Sequence, residues 1–240
     1  MQLLNLRAGK EFRMGKGSNW RVIYPEMGAT QLTLNHSIHG PGHEFTQHVH
    51  DQSEDLFLIL EGGASVRQGQ VYTPIHAGEA AFIPVGEVHG TVNTTDAPVR
   101  LISFQSPPDM ALYRGDRDKP ADETPKPQPG HESGVQIIAV ARGGPAFGRP
   151  GDWRCVASPR NGARHLLVHY ITLAAGEGFE HEPVQAEVAY VLLTGQARVT
   201  AGDEAWDLKA DDVIFLSAGD SFALTATAEQ ATLVSVQAQG

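Results

Sequence analysis

The sequence predicts an all-β protein of two tandem units of the sandwich or barrel type, for which an antiparallel jelly roll is one solution. Three observations carry this expectation. The 26 glycines and 15 prolines are spread through 240 residues and cut the chain into short segments. The apolar runs between them, such as "LFLIL", "AAFIPV" and "RLISF", have strand length rather than helix length. Similar runs then return in the second half as "AYVLL", "DVIFL" and "ATLVSV".

Taken in order, the blocks repeat in register. "NWRVIYP" from Asn19 is echoed by "DWRCVASP" from Asp152, and "GATQLTL" from Gly28 by "GARHLLV" from Gly162. "GPGHEF", ending at Phe45, lines up with "AAGEGF", ending at Phe179. "EDLFLILEG" from Glu54 matches "EVAYVLLTG" from Glu187, and "AGEAAFIPVG" from Ala77 matches "ADDVIFLSAG" from Ala210. Trp20 and Trp153 stand 133 positions apart, Gly28 and Gly162 134 apart, and Glu54 and Glu187 again 133. One insertion and one deletion therefore reconcile the halves, and the chain reads as a duplicated domain.

Between the repeats lies "SPPDMALYRGDRDKPADETPKPQPGHESG", rich in proline and charge, which reads as an exposed linker with a short ordered start at "MALY". The expected organisation is an N-terminal barrel at 1–112, a linker at 113–133 and a C-terminal barrel at 134–240. Arg114, Arg117 and Lys119, interleaved with Asp116 and Asp118, form the densest basic cluster and read as a solvated loop.

Composition narrows the partners. A hydrophobic fraction of 41% and a charged fraction of 19% are ordinary for a globular chain. A formal net charge of -10 with scattered basic residues argues against nucleic acid or an anionic membrane surface. The single cysteine, Cys155, has no disulfide or CxxC partner, and its setting in "WRCVAS" suits a small buried role. The N-terminus lacks the apolar core of a signal peptide, and no apolar stretch approaches the roughly 20 residues of a membrane helix. A cytoplasmic location is expected.

Two motifs carry the chemistry. "GHEFTQHVHDQSEDLFLILEG" holds Gly42, His48, His50, an acid and Gly62, and "GEAAFIPVGEVHGTVN" holds Gly78, Pro84, Gly86, His89 and Asn93. Together, in this order, they resemble the paired motifs of the cupin superfamily. The likeness covers roughly residues 20 to 105 and reaches the second half through the internal repeat, so the whole chain resembles a bicupin with two double-stranded β-helix barrels. The resemblance implies one divalent metal in the N-terminal barrel, held by the two motif histidines, the acid and the later histidine.

Strand geometry agrees. Residues i and i+2 project to one face, so His48 and His50 can both aim inward while Val49 faces away. "DQS" then turns the chain toward Glu54, and His89 arrives from a distant strand to close the site from another side. Three imidazoles and one carboxylate suit Fe, Mn, Ni, Co or Zn. Up to two positions of an octahedral ion would stay open for substrate or oxygen. The acid is Glu54 or Asp55. Family spacing of six residues to the glycine selects Asp55; the repeat selects Glu54, because Glu187 keeps the same distance to Gly195 and Val188 stands opposite Asp55. Glu54 is the expected ligand, giving His48, His50, Glu54 and His89. Against this stands a polar turn whose histidines only satisfy backbone carbonyls. That reading fits one histidine better than three at these spacings. His36, His39, His43, His76, His131 and His165 read as surface or hydrogen-bonded residues, and Trp20, Trp153 and Trp206 as packing residues.

The second half departs from the pattern. His181 stands opposite His48 and Glu187 opposite Glu54, but Pro183 and Phe222 replace His50 and His89, and Ser217 replaces Pro84. Two ligands are too few for a tight site. A metal-free structural barrel is expected, with a small-molecule pocket lined by Glu180, His181 and Tyr190 as the other reading.

The function expected from the resemblance and the ligand set is a metal-dependent enzyme acting on a small polar organic molecule. A dioxygenase with Fe(II) comes first, and a non-redox isomerase, lyase or hydrolase second. A ligand-binding or regulatory cupin without turnover is the rival from another class, although no helix-turn-helix or basic patch accompanies it. No acid or base outside the ligands is assigned. The expected partners are a small-molecule substrate and a second copy of the chain in a homodimer.

Overall fold

A computed structural model describes residues 1–14, 17–114, 126–146 and 148–239. Residues 115–125, with Asp116, Arg117, Asp118 and Lys119 of the expected solvated loop, lie outside the described residues. The described strands form two seven-stranded and two four-stranded antiparallel sheets. The α-helix Met110–Tyr113 is a single turn at the expected "MALY". No helix among the described residues is long and apolar enough to cross a membrane.

In the N-terminal half, the seven-stranded sheet has Thr33–His39, Val99–Ser106, Glu54–Glu61 and Glu79–Ile83 at its centre. The four-stranded sheet is ordered Glu44–His48, His89–Val92, Gly63–Gln68 and Val71–His76. The second half repeats the plan, with Leu166–Ala174, Gln230–Ala238, Val188–Thr194 and Asp212–Leu216 in the large sheet.

Period-two alternation explains why the central strands read as continuous apolar runs: both faces are buried. Phe57 and Ile59 join Val66, Ile75 and Leu101 in the interior of the first barrel. Leu56 and Leu58 point the other way, into a core shared by the two halves with Phe104, Val168, Val191, Phe215 and Val236. In the second barrel Val188, Tyr190 and Leu192 face inward, while Ala189 and Val191 face the shared core. The barrels thus pack back to back through their large sheets.

The halves also exchange edge strands. Gln2–Asn5 pairs with Asp212–Leu216 of the second half, and Gln136–Ala139 pairs with Glu79–Ile83 of the first. The expected division at 1–112 and 134–240 therefore does not separate the sheets, since each half lends one strand across it. The end of the linker is docked rather than free. His131 Nε2 lies 3.1 Å from Glu87, Gly134 N–H donates to Glu87 Oε1 at 2.8 Å, and Ser133 Oγ donates to Gln68 Oε1 at 2.7 Å. Cys155 sits in the strand Asp152–Ala157 as expected, though half-buried rather than fully so.

Two carboxylates fasten the shared core. Glu54 Oε1 accepts from Arg164 N–H at 2.7 Å, and its Oε2 from His165 and Leu166 N–H at 2.8 and 3.2 Å. Reciprocally, Glu187 accepts from the backbone of Thr30, Gln31 and Leu32 at 2.7 to 2.9 Å and from the Thr30 hydroxyl at 2.9 Å. Each acid meets the start of the strand that follows a 3-10 turn in the other half, at Pro25–Met27 or Pro159–Asn161. Those N–H groups enter an apolar interface and need an acceptor there. Arg100 adds an ion pair to Asp211 across the same boundary.

Replacing Glu187 with Gln exchanges one acceptor oxygen for a donor facing donors. Urea denaturation should show a loss of about 2–4 kcal/mol, the scale of one or two buried donors left unsatisfied. An unchanged midpoint would remove the carboxylate clamp from the account of stability.

Candidate metal centre

The site lies between the two sheets of the first barrel. Glu44–His48 and His89–Val92 are neighbours, with His48 directly opposite His89. His89 therefore stands beside His48 on the adjacent strand rather than closing the site from another side. The strand ends at His48, and His50 follows in the connection to Glu54–Glu61. Gly86, in the left-handed region with φ of 83°, lets the "PVGE" turn present its N–H to the His50 carbonyl at 2.9 Å. The motif asparagine is a turn organiser: Asn93 Nδ2 donates to the carbonyls of His39 and Ala97, and its Oδ1 accepts from Thr95.

His48, His50, Asp55 and His89, all buried, bring one donor atom each within 4.8 Å of one another. His48 Nε2 and His50 Nε2 are 3.1 Å apart. Asp55 Oδ2 is 3.2 Å from His50 Nε2 and 3.4 Å from His89 Nε2. Glu54 does not join them. This corrects the expected ligand set, and the reason is the strand period: Glu54 shares a face with Leu56 and Leu58 toward the second barrel, while Asp55 shares one with Phe57 and Ile59 toward the interior. The carboxylate of Glu54 is spent on the amides of residues 164–166.

The outer nitrogens fix the tautomers. His48 Nδ1–H donates to the Thr46 carbonyl at 2.9 Å, His89 Nδ1–H to the Glu87 carbonyl at 2.9 Å, and His50 Nδ1–H to Asp109 Oδ2 at 2.7 Å. All three Nε2 atoms are thereby directed to one place, beside a carboxylate oxygen. Such a convergence repels itself unless a cation sits within it, and the donor types fit a divalent metal. Burial disfavours charge on His48, and neighbouring His89 and His50 add to this, so its pKa lies well below the ordinary value. At His50, burial is outweighed by Asp55 and Asp109, which raise its pKa to about 9. Without a metal, a proton therefore sits on Nε2 beside Asp55 Oδ2, and a bound cation would take its place. Burial would raise the pKa of Asp55, yet the pairing with His50 and His89 holds it below the usual carboxylate range.

Two residues escaped the sequence reading. Asp109, just before the helical turn, holds His50 and accepts from Ala111 N–H at 2.9 Å. Gln105, paired in register with Asp55, donates to Asp55 Oδ1 at 3.0 Å and accepts from Asp109 N–H at 2.7 Å. It thus leaves Oδ2 directed at the imidazoles. Neither belongs to a motif, and Asp109 falls in the proline-rich stretch that reads as linker. The only signal for Gln105 is a polar residue among the apolar ones of "RLISFQS".

The other histidines are placed as hydrogen-bonded or exposed groups. His36 Nδ1–H donates to the Leu6 carbonyl, its Nε2 accepts from Arg100, and its ring stacks on Trp20. His39 bonds Asn19 and lies against the His43 ring at 3.9 Å in a tilted contact, whereas His76 is exposed. In the second barrel His181 sits opposite Phe222 in the register of His48 and His89, and the two rings stack at 5.5 Å. Among the described residues, the N-terminal cluster is the one group of three or more such side chains that could hold a metal.

Residues 36–104 match the family model for the cupin domain. The tetracenomycin polyketide synthase protein TcmJ of Streptomyces glaucescens is 30% identical over 92 residues, 38% of this chain and 62% of that protein. The dimethylsulfoniopropionate lyase DddW of Ruegeria pomeroyi is 36% identical over 75 residues, 30% of this chain and 49% of that protein. This chain therefore spans less than two thirds of either relative. Among solved structures, Ylba of E. coli superposes with a TM-score of 0.75 at 13% identity, covering 98% of this chain and 89% of that one. The oxalate decarboxylase OxdC of Bacillus subtilis does so with 0.76 at 12%, covering 100% and 77%. Residues 36–104 thus form a cupin domain that holds the motif residues, and the second half repeats its fold as a second barrel.

Elemental analysis should find about one divalent metal per chain, most of it lost in His50→Ala and none of it in His181→Ala. Asp109→Asn should keep the metal but weaken its binding by about 10–100-fold, the usual effect of losing a carboxylate behind a ligating histidine. Chelator competition measures this directly, and unaltered affinity in Asp109→Asn would remove its positioning role.

Proposed function

We propose that the first barrel is the active site of a metal-dependent enzyme acting on a small polar organic molecule, with oxygen-dependent oxidation at Fe(II) as the leading reaction. The observation that carries this reading is the convergence of three imidazole Nε2 atoms and Asp55 Oδ2 in one buried cluster, with every Nδ1 already engaged. A bound divalent ion supplies Lewis acidity there and, as iron, a redox couple for oxygen.

The protein's own contribution is positioning and exclusion of water. Asp109 keeps the His50 ring oriented, and Gln105 keeps one oxygen of Asp55 turned to the site. Phe45 and Phe57 lie 5.0 and 5.7 Å from the rings of His48 and His89 and limit solvent around the reacting atoms. A single small barrel accommodates one small ligand, which sets the substrate class.

A second reading, non-redox lyase or isomerase chemistry, is favoured by the likeness of the motif region to DddW, a lyase. Protein loaded with Fe(II) or with Zn is to be assayed on small hydroxy acids, diketones and phenols while oxygen is recorded. Oxidation predicts turnover with Fe(II) alone, matched by oxygen uptake. Equal turnover with Zn, or undiminished turnover without oxygen, would replace it with the lyase or isomerase reading.

A further inference from the structure

The second barrel has lost the ligand set but not its interior polar groups. A cavity of about 690 Å³ opens there, lined among others by Arg149, Trp153, His169, Phe179, His181 and Tyr190. His181 stands in the place of His48, while Pro183, Val188 and Phe222 stand in those of His50, Asp55 and His89. Conversion of three ligand positions to apolar residues would leave a purely structural barrel no use for a buried imidazole. His181 is nonetheless kept, 7% exposed, flat against Phe222 and bonded through Nδ1 to the Tyr190 hydroxyl at 2.9 Å. Its Nε2 is buried without a hydrogen-bond partner. A buried polar atom in that state is costly, and a ligand group removes the cost.

The remaining chemistry says which ligand. Arg149 lies over the Trp153 ring at 4.7 Å and has no carboxylate partner among the described residues. The acids of the lining, Glu180 and Glu182, are exposed and make no ion pair with it. Burial lowers the pKa of both His169 and His181, and Arg149 lowers each further, so both imidazoles are neutral beside one guanidinium. Burial raises the pKa of Tyr190, so its hydroxyl stays protonated 2.9 Å from His181 Nδ1 and can donate to that nitrogen. In the tautomer where Tyr190 donates, the proton of His181 sits on the unpartnered Nε2, which then offers a donor to a ligand. Trp153, Phe179 and Leu224 supply flat apolar surface in the same cavity.

We propose that the C-terminal barrel is a metal-free binding site for a small flat organic carboxylate, held by Arg149 and His181 Nε2–H with its apolar body against Trp153, Phe179 and Leu224. This site does not depend on the reaction assigned to the first barrel. Benzoate serves as the probe, titrated calorimetrically into chelator-treated full-length protein, with benzyl alcohol as its uncharged counterpart. Saturable binding of one benzoate per chain is expected, weakened at least tenfold in Arg149→Met and at least tenfold for benzyl alcohol. His50→Ala should bind benzoate as the wild type does. Arg149 is exposed, so its replacement leaves the barrel folded, which circular dichroism verifies. No saturable binding, equal binding by Arg149→Met, equal binding of the alcohol, or loss of binding in His50→Ala would each overturn the proposal.

Discussion

A carboxylate buried between two β-sheets needs donors, and Glu54 and Glu187 each find them in the other half of the chain. Much of the architecture rests on that reciprocity. The amides it satisfies open the strands Thr33–His39 and Leu166–Ala174, which lie near the centre of the two large sheets. With those ends fixed, the outer faces of both sheets can share one apolar core, and the exchanged strands Gln2–Asn5 and Gln136–Ala139 extend it. The same contact sets the register of Glu54–Glu61 between the halves, and with it the inward aim of Asp55.

The two barrels have divided their chemistry along this boundary. Both keep the acid that faces the partner half, because the interface needs it on both sides. Only the first keeps the inward acid and the imidazoles that converge with it. In the second, an aromatic cluster of Trp153, Phe179, Tyr190 and Phe222 occupies the corresponding interior and surrounds the one retained histidine. Duplication preserved the frame while the interiors diverged.

How far the sequence revealed this depends on what each residue answers to. The strands, the repeat and the histidines His48, His50 and His89 were legible because turn glycines, period-two patterns and motif spacing are local. The acid was not. Residues 54 and 55 differ by one position, and which face of "EDLFLIL" looks inward is decided by a sheet packed on both sides, where both parities are apolar. The repeat correctly equated Glu54 with Glu187, but persistence of an acid in a half without His50 or His89 signals a structural duty rather than a ligand. Asp109 and Gln105 act through tertiary contacts alone, and strand exchange leaves no mark on a sequence whose halves look self-contained.

The adjacent acids give the account its most direct test. Metal content and thermal midpoint are to be measured side by side for Asp55→Asn and Glu54→Gln. The expected result is a split: Asp55→Asn loses most of its metal and, compared with the metal-free wild type, keeps its midpoint. Glu54→Gln keeps its metal and melts lower, by about 2–4 °C for each kcal/mol of lost interface. Metal lost from Glu54→Gln at an unchanged midpoint, with Asp55→Asn fully loaded, would contradict it.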